Sequence, residues 1–377
     1  MAGSTWGTLF TMTTWGESHG EGLGVVVDGC PAGLDLCRED IQKYLDRRKP
    51  GQSRFATKRQ EGDQVEILSG IFEGRTTGTP ISMVVRNTDQ RSHDYDAVKD
   101  LYRPGHADYT FDAKYGFRDY RGGGRSSGRE TIGRVAAGAV AAKFLESLGI
   151  RVAAYTKSIG HIEIDPDRFD MEERFRNRLC MPDAQAALEA EAYLDELMAR
   201  KDSAGGVVEC VIDGLPAGIG EPVFEKLDAR LAHALMSVGA VKGVEIGDGF
   251  GAAFRVGSVN NDGFLKAKDG SVAKRSNHAG GILGGISDGS QVVVRAAFKP
   301  TPSISQVQRT VDRQGQEVEA VIKGRHDPVI PPRAVVVVEA MAAFTAADVL
   351  LWSMTSRLDR ILEFFGGNDH SDRLQGK

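Results

Sequence analysis

The sequence predicts an α+β fold built from a duplicated unit, and three pairs of similar segments in the same order predict it. "VDGCPAG" at 27–33 returns as "IDGLPAG" at 212–218, each after a short apolar run and before a helical pattern. "ILSGIFEG" at 67–74 returns as "ILGGISDG" at 282–289, leading into the β-rich runs "ISMVVR" and "QVVVR". "GGRSSGR" at 123–129 has a weaker counterpart in "KGRHDP" at 323–328, and each precedes an apolar helix, 128–148 and roughly 334–363. Such self-similarity marks a repeated structural unit. The expected plan is one domain over 1–377, with pseudo-repeats of about 7–150 and 205–365 and a site between them.

Each element has its own local reason. The β stretches alternate, or run four to six residues between turn glycines, which suits antiparallel sheets covering shared helices. Ser127 and Glu130 have the spacing of a capping box, so a helix is predicted to start near Gly128 and to stop at Gly149. In "REDIQKYLDRRK", Ile41, Tyr44 and Leu45 share an inward face, and Arg48 falls next on it. Arg48 then has two readings. Its stem lies along apolar surface with the head in water, or it joins Arg54, beyond the Pro50-Gly51 turn, in a collar of guanidiniums around an anion. The stretch 165–204 reads as a helical, charged connector, with Leu188, Tyr193, Leu194 and Leu197 as its apolar residues.

The bulk numbers exclude several classes. The chain has 377 residues, 41% hydrophobic and 26% charged, with a net charge of −5. A general nucleic-acid binder presents a basic excess, which is missing here. No stretch reaches the ~20 uninterrupted apolar residues of a membrane span, and the start lacks a basic region followed by an apolar run. Cys30, Cys37, Cys180 and Cys210 show no C-x-x-C pairing and read as reduced, mostly buried thiols, so a cytoplasmic location is expected.

The chemistry is concentrated in glycine-rich loops. "YRGGGRSSGRE" at 120–130 joins four glycines, two serines and three arginines to a helix start. Backbone amides, the positive end of the helix dipole and guanidiniums together describe a phosphate or flavin-phosphate seat. It is no nucleotide-triphosphate loop, because Arg129 and Glu130 stand where Lys and Ser/Thr belong. Residues 43–59 carry seven Lys/Arg against one Asp, and 103–134 carry seven against four acids. Ser18 and His19 lie in "TWGESHGEGLG", and His106 follows Arg103-Pro104-Gly105, a turn that aims its ring. Two histidines beside arginines can supply protons to a departing phosphate and to a developing anion. "GRHDPVIPP" adds Arg325, His326 and Asp327, and no metal-ligand spacing is present.

The motifs "GESHG", "DRRKPGQSR", "RPGHADYT", "YRGGGRSSGRET", "SNHAGGILGGISDG", "KPTPSI" and "GRHDP" resemble the chorismate synthase family from residue 7 to about 350. The resemblance implies a homotetramer whose helical core is sandwiched between two antiparallel β-sheets. It implies a lyase reaction, the anti-1,4-elimination of phosphate from 5-enolpyruvylshikimate 3-phosphate to chorismate, the last common step of aromatic amino acid biosynthesis. It also implies dependence on reduced FMN, with NADPH as a flavin reductant. By the same resemblance His19 protonates the leaving phosphate, His106 supports the reduced flavin near N1, and Asp327 helps the flavin N5 take up the substrate proton. Arg125, Ser126, Ser127, Gly239, Ala240, Gly284, Lys299, Pro300, Thr301, Pro302, Ser303 and Arg325 would contact the flavin. Arg48 and Arg54 match positions for NADPH or the substrate phosphate, and Arg103 is a further substrate position. Two departures stand out. "SSGRET" has Gly128 where the family often has alanine, and "SVGAVKG" has Gly239 where a side chain is usual, so that contact must come from backbone. Two rivals remain: a flavin oxidoreductase consuming NADPH stoichiometrically, and a non-catalytic anion- or RNA-binding protein.

Overall fold

The β-rich runs and the apolar helices assort into layers, as a computed structural model describing residues 3–51, 54–55, 61–88, 99–121, 123–268, 270–322 and 327–366 shows. The first half carries β1 (Thr5–Trp6), β2 (Thr11–Gly16), β3 (Gly22–Asp28), α1 (Arg38–Arg48) and β4 (Val65–Ile67). A small hairpin of β5 (Ile71–Phe72) and β6 (Arg75–Thr76) leads to β7 (Ile81–Arg86), then α2 (Asp108–Tyr115) and α3 (Thr131–Ser147). Between the halves lie β8 (Arg151–Ile159), β9 (Ile162–Glu163) and α4 (Ala184–Ala199). The second half runs β10 (Gly206–Asp213), α5 (Leu227–Met236), β11 (Val241–Ile246), α6 (Gly257–Asn260), β12 (Phe264–Lys266) and β13 (Val272–Lys274). It continues with a hairpin of β14 (Ile282–Leu283) and β15 (Ile286–Ser287), β16 (Val292–Phe298), β17 (Val307–Val311), β18 (Glu317–Val321), α7 (Pro331–Ser353) and α8 (Leu358–Gly366).

Two five-stranded antiparallel sheets enclose the helices. One has the order β1-β2-β3-β7-β4, the other β11-β16-β10-β8-β9. Between them α3 packs on β2, β3 and β7, α7 packs on β8 and β10, and the two helices pack on each other. Small residues make this possible. A Cβ added at Gly138 of α3 would come within 2.3 Å of the Ala340 Cβ of α7, so that crossing admits no side chain. Both helices are apolar around most of their circumference and largely buried, which suits a core position. Pro331–Ser353 is long and apolar enough to cross a bilayer, but 89% of its most apolar window is buried inside the fold. It is the core helix, and it ends at Ser353 rather than near 363, with α8 following as a separate element.

Both halves repeat one set of hydrogen bonds. In the first, Thr76 Oγ1 donates to the Pro31 carbonyl (2.6 Å), Leu34 N donates to Thr76 Oγ1 (2.9 Å) and Gly33 N to the Thr76 carbonyl (2.8 Å). In the second, Ser287 Oγ donates to the Pro216 carbonyl (2.6 Å), Ile219 N donates to Ser287 Oγ (2.9 Å) and Gly218 N to the Ser287 carbonyl (2.9 Å). The hydroxyl of one hairpin pins the "DGxPAG" turn of the preceding strand in each case. The geometric partners also revise the alignment. The β5–β6 hairpin occupies the place of β14–β15, so the second pair of segments matches four residues away from where the letters align best.

The connector packs as a satellite. Leu194 and Leu197 of α4 join Tyr155, Ile159 and Leu179 in a smaller apolar cluster, whereas Leu188 is exposed. All four cysteines are unpaired; Cys30 and Cys210 are buried, Cys180 is half-buried and Cys37 is exposed. The buried Asp348 of α7 ties down the N-terminal strand region. Its carboxylate accepts from the amides of Thr8, Leu9 and Phe10, from Arg230 and from the Trp352 indole.

Candidate active site

The loop after β2 carries the first histidine. Gly16 has φ +85°, and a Cβ there would meet the Gly22 carbonyl at 2.2 Å, so glycine is required for this tight return. The turn buries Ser18 and His19, with Ser18 Oγ 3.0 Å from His19 Nδ1. Arg125 reaches this strand end from the glycine-arginine loop. It donates to the carbonyls of Gly16 (3.1 Å) and Thr14 (3.2 Å) and to Thr14 Oγ1 (2.6 Å). Asp119 lies within electrostatic reach of His19, and its hydrogen bonds from Arg121 hold its carboxyl below the ordinary value.

The glycine-arginine loop is built as a tight turn. Gly123 and Gly124 have φ +80° and +51°, and Ser126 Oγ donates to the Gly123 carbonyl. Nothing stands within 4 Å of where a Cβ would point from Gly124 or Gly128, so the backbone there is open to a ligand. The helix begins with one 3₁₀ turn at Gly128–Glu130 before α3, and Ser127 Oγ accepts from Arg129 N (3.3 Å). The capping box closes on one side only, because the Glu130 carboxylate turns to Thr14 and Arg134 instead of back to Ser127.

Arg48 is inside. Its side chain is 1% exposed, and it donates to Asp63 Oδ2 (2.7 Å), Thr131 Oγ1 (3.1 Å) and the Gly128 carbonyl (3.1 Å). Asp63 also accepts from Arg129 (3.1 Å). Burial pulls the Arg48 guanidinium down to about 9 while Asp63 pulls the other way, so it remains charged at neutral pH. The snorkelling reading fails for Arg48, since it has a buried carboxylate to meet. Arg54 is half exposed, six residues on, and pairs with Glu191 (3.1 Å) and Asp195 (2.9 Å) of α4. It faces the connector, so the two arginines form no common collar here.

A second assembly forms around His106. Arg103 is locked in a two-pronged ion pair with Asp108 (2.8 Å on each arm), which fixes the base of the loop. Gly105, at φ +70°, packs so closely on Pro302 that a Cβ would sit 2.7 Å from that ring. His106 Nδ1 lies 3.0 Å from the Pro104 carbonyl, and Nε2 lies 2.7 Å from Ser303 Oγ. Lys299 Nζ donates to the Gly105 carbonyl (2.6 Å), and burial, with Lys242 nearby, lowers its ammonium pKa. Lys299 N donates to the carbonyl of Ala240, a residue at φ +72°, and Gly239 leaves open space beside it. The Thr301 carbonyl accepts from Ser203, and Pro300 packs against Gly205.

Asp327 belongs to the same side of the molecule. Val329 bridges to Ala204, next to Ser203, and Asp327 Oδ2 accepts from Arg333 (2.5 Å) in the first turn of α7. Gly284 sits in the β14–β15 turn, whose hairpin is held by residues 216–219 and Lys226 rather than by the Lys299–Ser303 run. Arg325 lies outside the described residues. Sequence reasoning missed Asp63, Arg134 and Arg333 as partners of the site, and it set Arg129 in the anion seat, whereas the structure buries Arg129 against Asp63 and Asn87. Only Arg134 carried a signal, its i,i+4 spacing from Glu130.

Comparison with known proteins gives one consistent answer. Residues 10–351 match the family model described as chorismate synthase. The chorismate synthase of Agathobacter rectalis is 64% identical, over 97% of this chain and 99% of that protein. That of Methanosarcina mazei is 57% identical, over 94% of this chain and 97% of its own length. A crystal structure of a chorismate synthase superposes with a TM-score of 0.74 at 34% identity, covering 96% of this chain and 98% of that one.

Proposed function

The chain belongs to the chorismate synthase family, and we propose that the residues linked above carry out that family's elimination. The enzyme removes phosphate from 5-enolpyruvylshikimate 3-phosphate to give chorismate. One set of contacts supports the assignment of the site: Arg125 donates to the Gly16 carbonyl three residues before His19, Ser303 and Lys299 reach the His106 loop, and Arg333 donates to Asp327.

The open backbone at Gly124, Gly128 and Gly239, flanked by Arg125, Ser126 and Lys299, fits an anionic flavin. Arg125, Ser126, Ser127, Ala240 and the Lys299–Ser303 run would hold FMN. When bound in its reduced form, FMN supplies an electron-rich partner and a basic nitrogen for the substrate proton. The chain's own residues do the rest. Ser18 at Nδ1 orients His19, which delivers a proton to the leaving phosphate. A carbonyl can only accept, so His106 Nδ1 carries a hydrogen toward Pro104, which leaves Nε2 to meet Ser303. Charge on His106 is therefore felt along the Lys299–Ser303 run. Arg333 holds the Asp327 carboxylate in place beside that run.

NADPH serves this reading as a flavin reductant, and the enzyme works as a cytoplasmic homotetramer. The strongly exposed Phe224, Phe250 and Phe254 support subunit contacts. The matched bonds of Thr76 and Ser287 support one domain with pseudo-repeats at about 7–150 and 205–365. An anaerobic assay with catalytic, pre-reduced FMN tests the chemistry. Many chorismates per flavin are expected without matching NADPH consumption. One NADPH consumed per product would transfer the case to the oxidoreductase rival.

A further inference from the structure

Glu130 has the spacing of a helix cap, but its two carboxylate oxygens act elsewhere. We propose that Glu130 is a positioning residue that holds two flavin-contacting segments, the Arg125 loop and the 237–240 turn, in register with each other. The inference rests on the flavin reading above and goes beyond it, because Glu130 is not among the flavin positions that reading names.

One oxygen works through Thr14. Glu130 Oε1 accepts the hydroxyl hydrogen of Thr14 (3.1 Å), and Arg125 donates to the same Thr14 oxygen (2.6 Å). A hydroxyl has one hydrogen, so giving it to Glu130 turns the Thr14 lone pairs toward Arg125. The Arg125 guanidinium also lies 3.8 Å from the carboxylate, close enough to feel its charge. The other oxygen works through Arg134. Glu130 Oε2 accepts from Arg134 Nε (2.8 Å), and this sets the guanidinium so that its two other nitrogens donate to Ser237, to Oγ at 2.6 Å and to the carbonyl at 3.2 Å. Ser237 stands two residues before Gly239, and the Ala240 carbonyl beyond it receives Lys299 N. A single carboxylate, 12% exposed, therefore connects the first-half loop to the second-half turn. A residue that only capped the helix would leave Ser237 untouched.

The test is FMN titration by fluorescence quenching, with a melting curve for every variant. E130Q keeps one acceptor oxygen, enough for Thr14 or Arg134 but not for both; R134Q removes the other end of the Arg134 contact. Each is expected to weaken FMN binding about tenfold or more, the size of a lost charge-assisted hydrogen bond. The double variant should bind no worse than the weaker single one, because both remove one linkage. S237A leaves Glu130 and the helix start intact, and should weaken FMN binding a few-fold with an unchanged melting temperature. Additive losses in the double variant, or wild-type FMN affinity in S237A, would overturn the proposal. Wild-type protein that does not quench FMN would sink the flavin reading and this inference with it.

Discussion

Arg48 and Arg54 stand six residues apart, and both are basic residues in the same run, yet the fold gives them opposite surroundings. Arg48 is buried at the end of α1 with Asp63, Thr131 and the Gly128 carbonyl as partners. Arg54 lies half in solvent against two carboxylates of the connector. The difference lies in the last turn of a helix. Arg48 continues the inward face of Ile41, Tyr44 and Leu45, whereas Arg54 comes after a proline-glycine turn that releases the chain. An arginine in the core must bring its counter-charge with it, and its removal is felt by the fold. An arginine at the surface is screened, and its removal is felt mainly by a ligand.

The largest expected effect separates both arginines from the proton carriers. His19→Ala should fold normally and lose about 10² to 10⁴ in kcat, as for a missing general acid. Steady-state kinetics with reduced FMN measure it, and a near-wild-type kcat would remove His19 from the chemistry. Next comes the buried cluster. Asp63→Ala leaves the guanidiniums of Arg48 and Arg129 without their shared carboxylate and should cost about 3–5 kcal/mol. Urea denaturation reads this directly, and a loss below about 1 kcal/mol would mean that Arg48 is no more structural than Arg54.

Acid offers an independent probe of a buried pair. Burial raises the Asp108 pKa, but Arg103 outweighs it, so the folded value lies below the unfolded one. A depressed folded value contributes stability that is complete above the unfolded pKa of about 3.9 and is lost as pH falls through the folded value. Asp108→Asn should therefore flatten the decline of melting temperature below about pH 4; an unchanged acid slope would contradict it. The smallest effect belongs to Arg54. Arg54→Ala should change stability by less than about 1 kcal/mol, as for an exposed ion pair. If Arg54 binds an anion, KM should rise and the rise should shrink in high salt. A large loss of stability there would erase the contrast with Arg48.

Much of the site could be read in the sequence because short-range rules govern it. Gly123, Gly124 and Gly105 need left-handed backbone, and each is a glycine in a segment singled out beforehand. The inward face of α1 follows from 3.6-residue spacing, and all its expected residues are buried. The partners were less legible. Asp63 sits in no recognisable motif, and nothing local says that its carboxylate lies between Arg48 and Arg129. Glu130 matched a capping rule that the tertiary contacts then overrode. A strong local pattern gave way because two charged acceptor bonds outweigh one bond to a backbone amide.

By itself, the sequence determined the α+β class, the places where glycine turns the chain, and the family-specific motifs, because each depends on residues within a few positions of one another. Only the tertiary structure decided that α7 ends at Ser353 as a buried core helix, that Arg48 meets a buried carboxylate, and that Ser303 meets His106. Those outcomes depend on what lies opposite a side chain once the two sheets close over the helices. Burial and charge pairing are properties of that closed arrangement, and no window of sequence contains both partners.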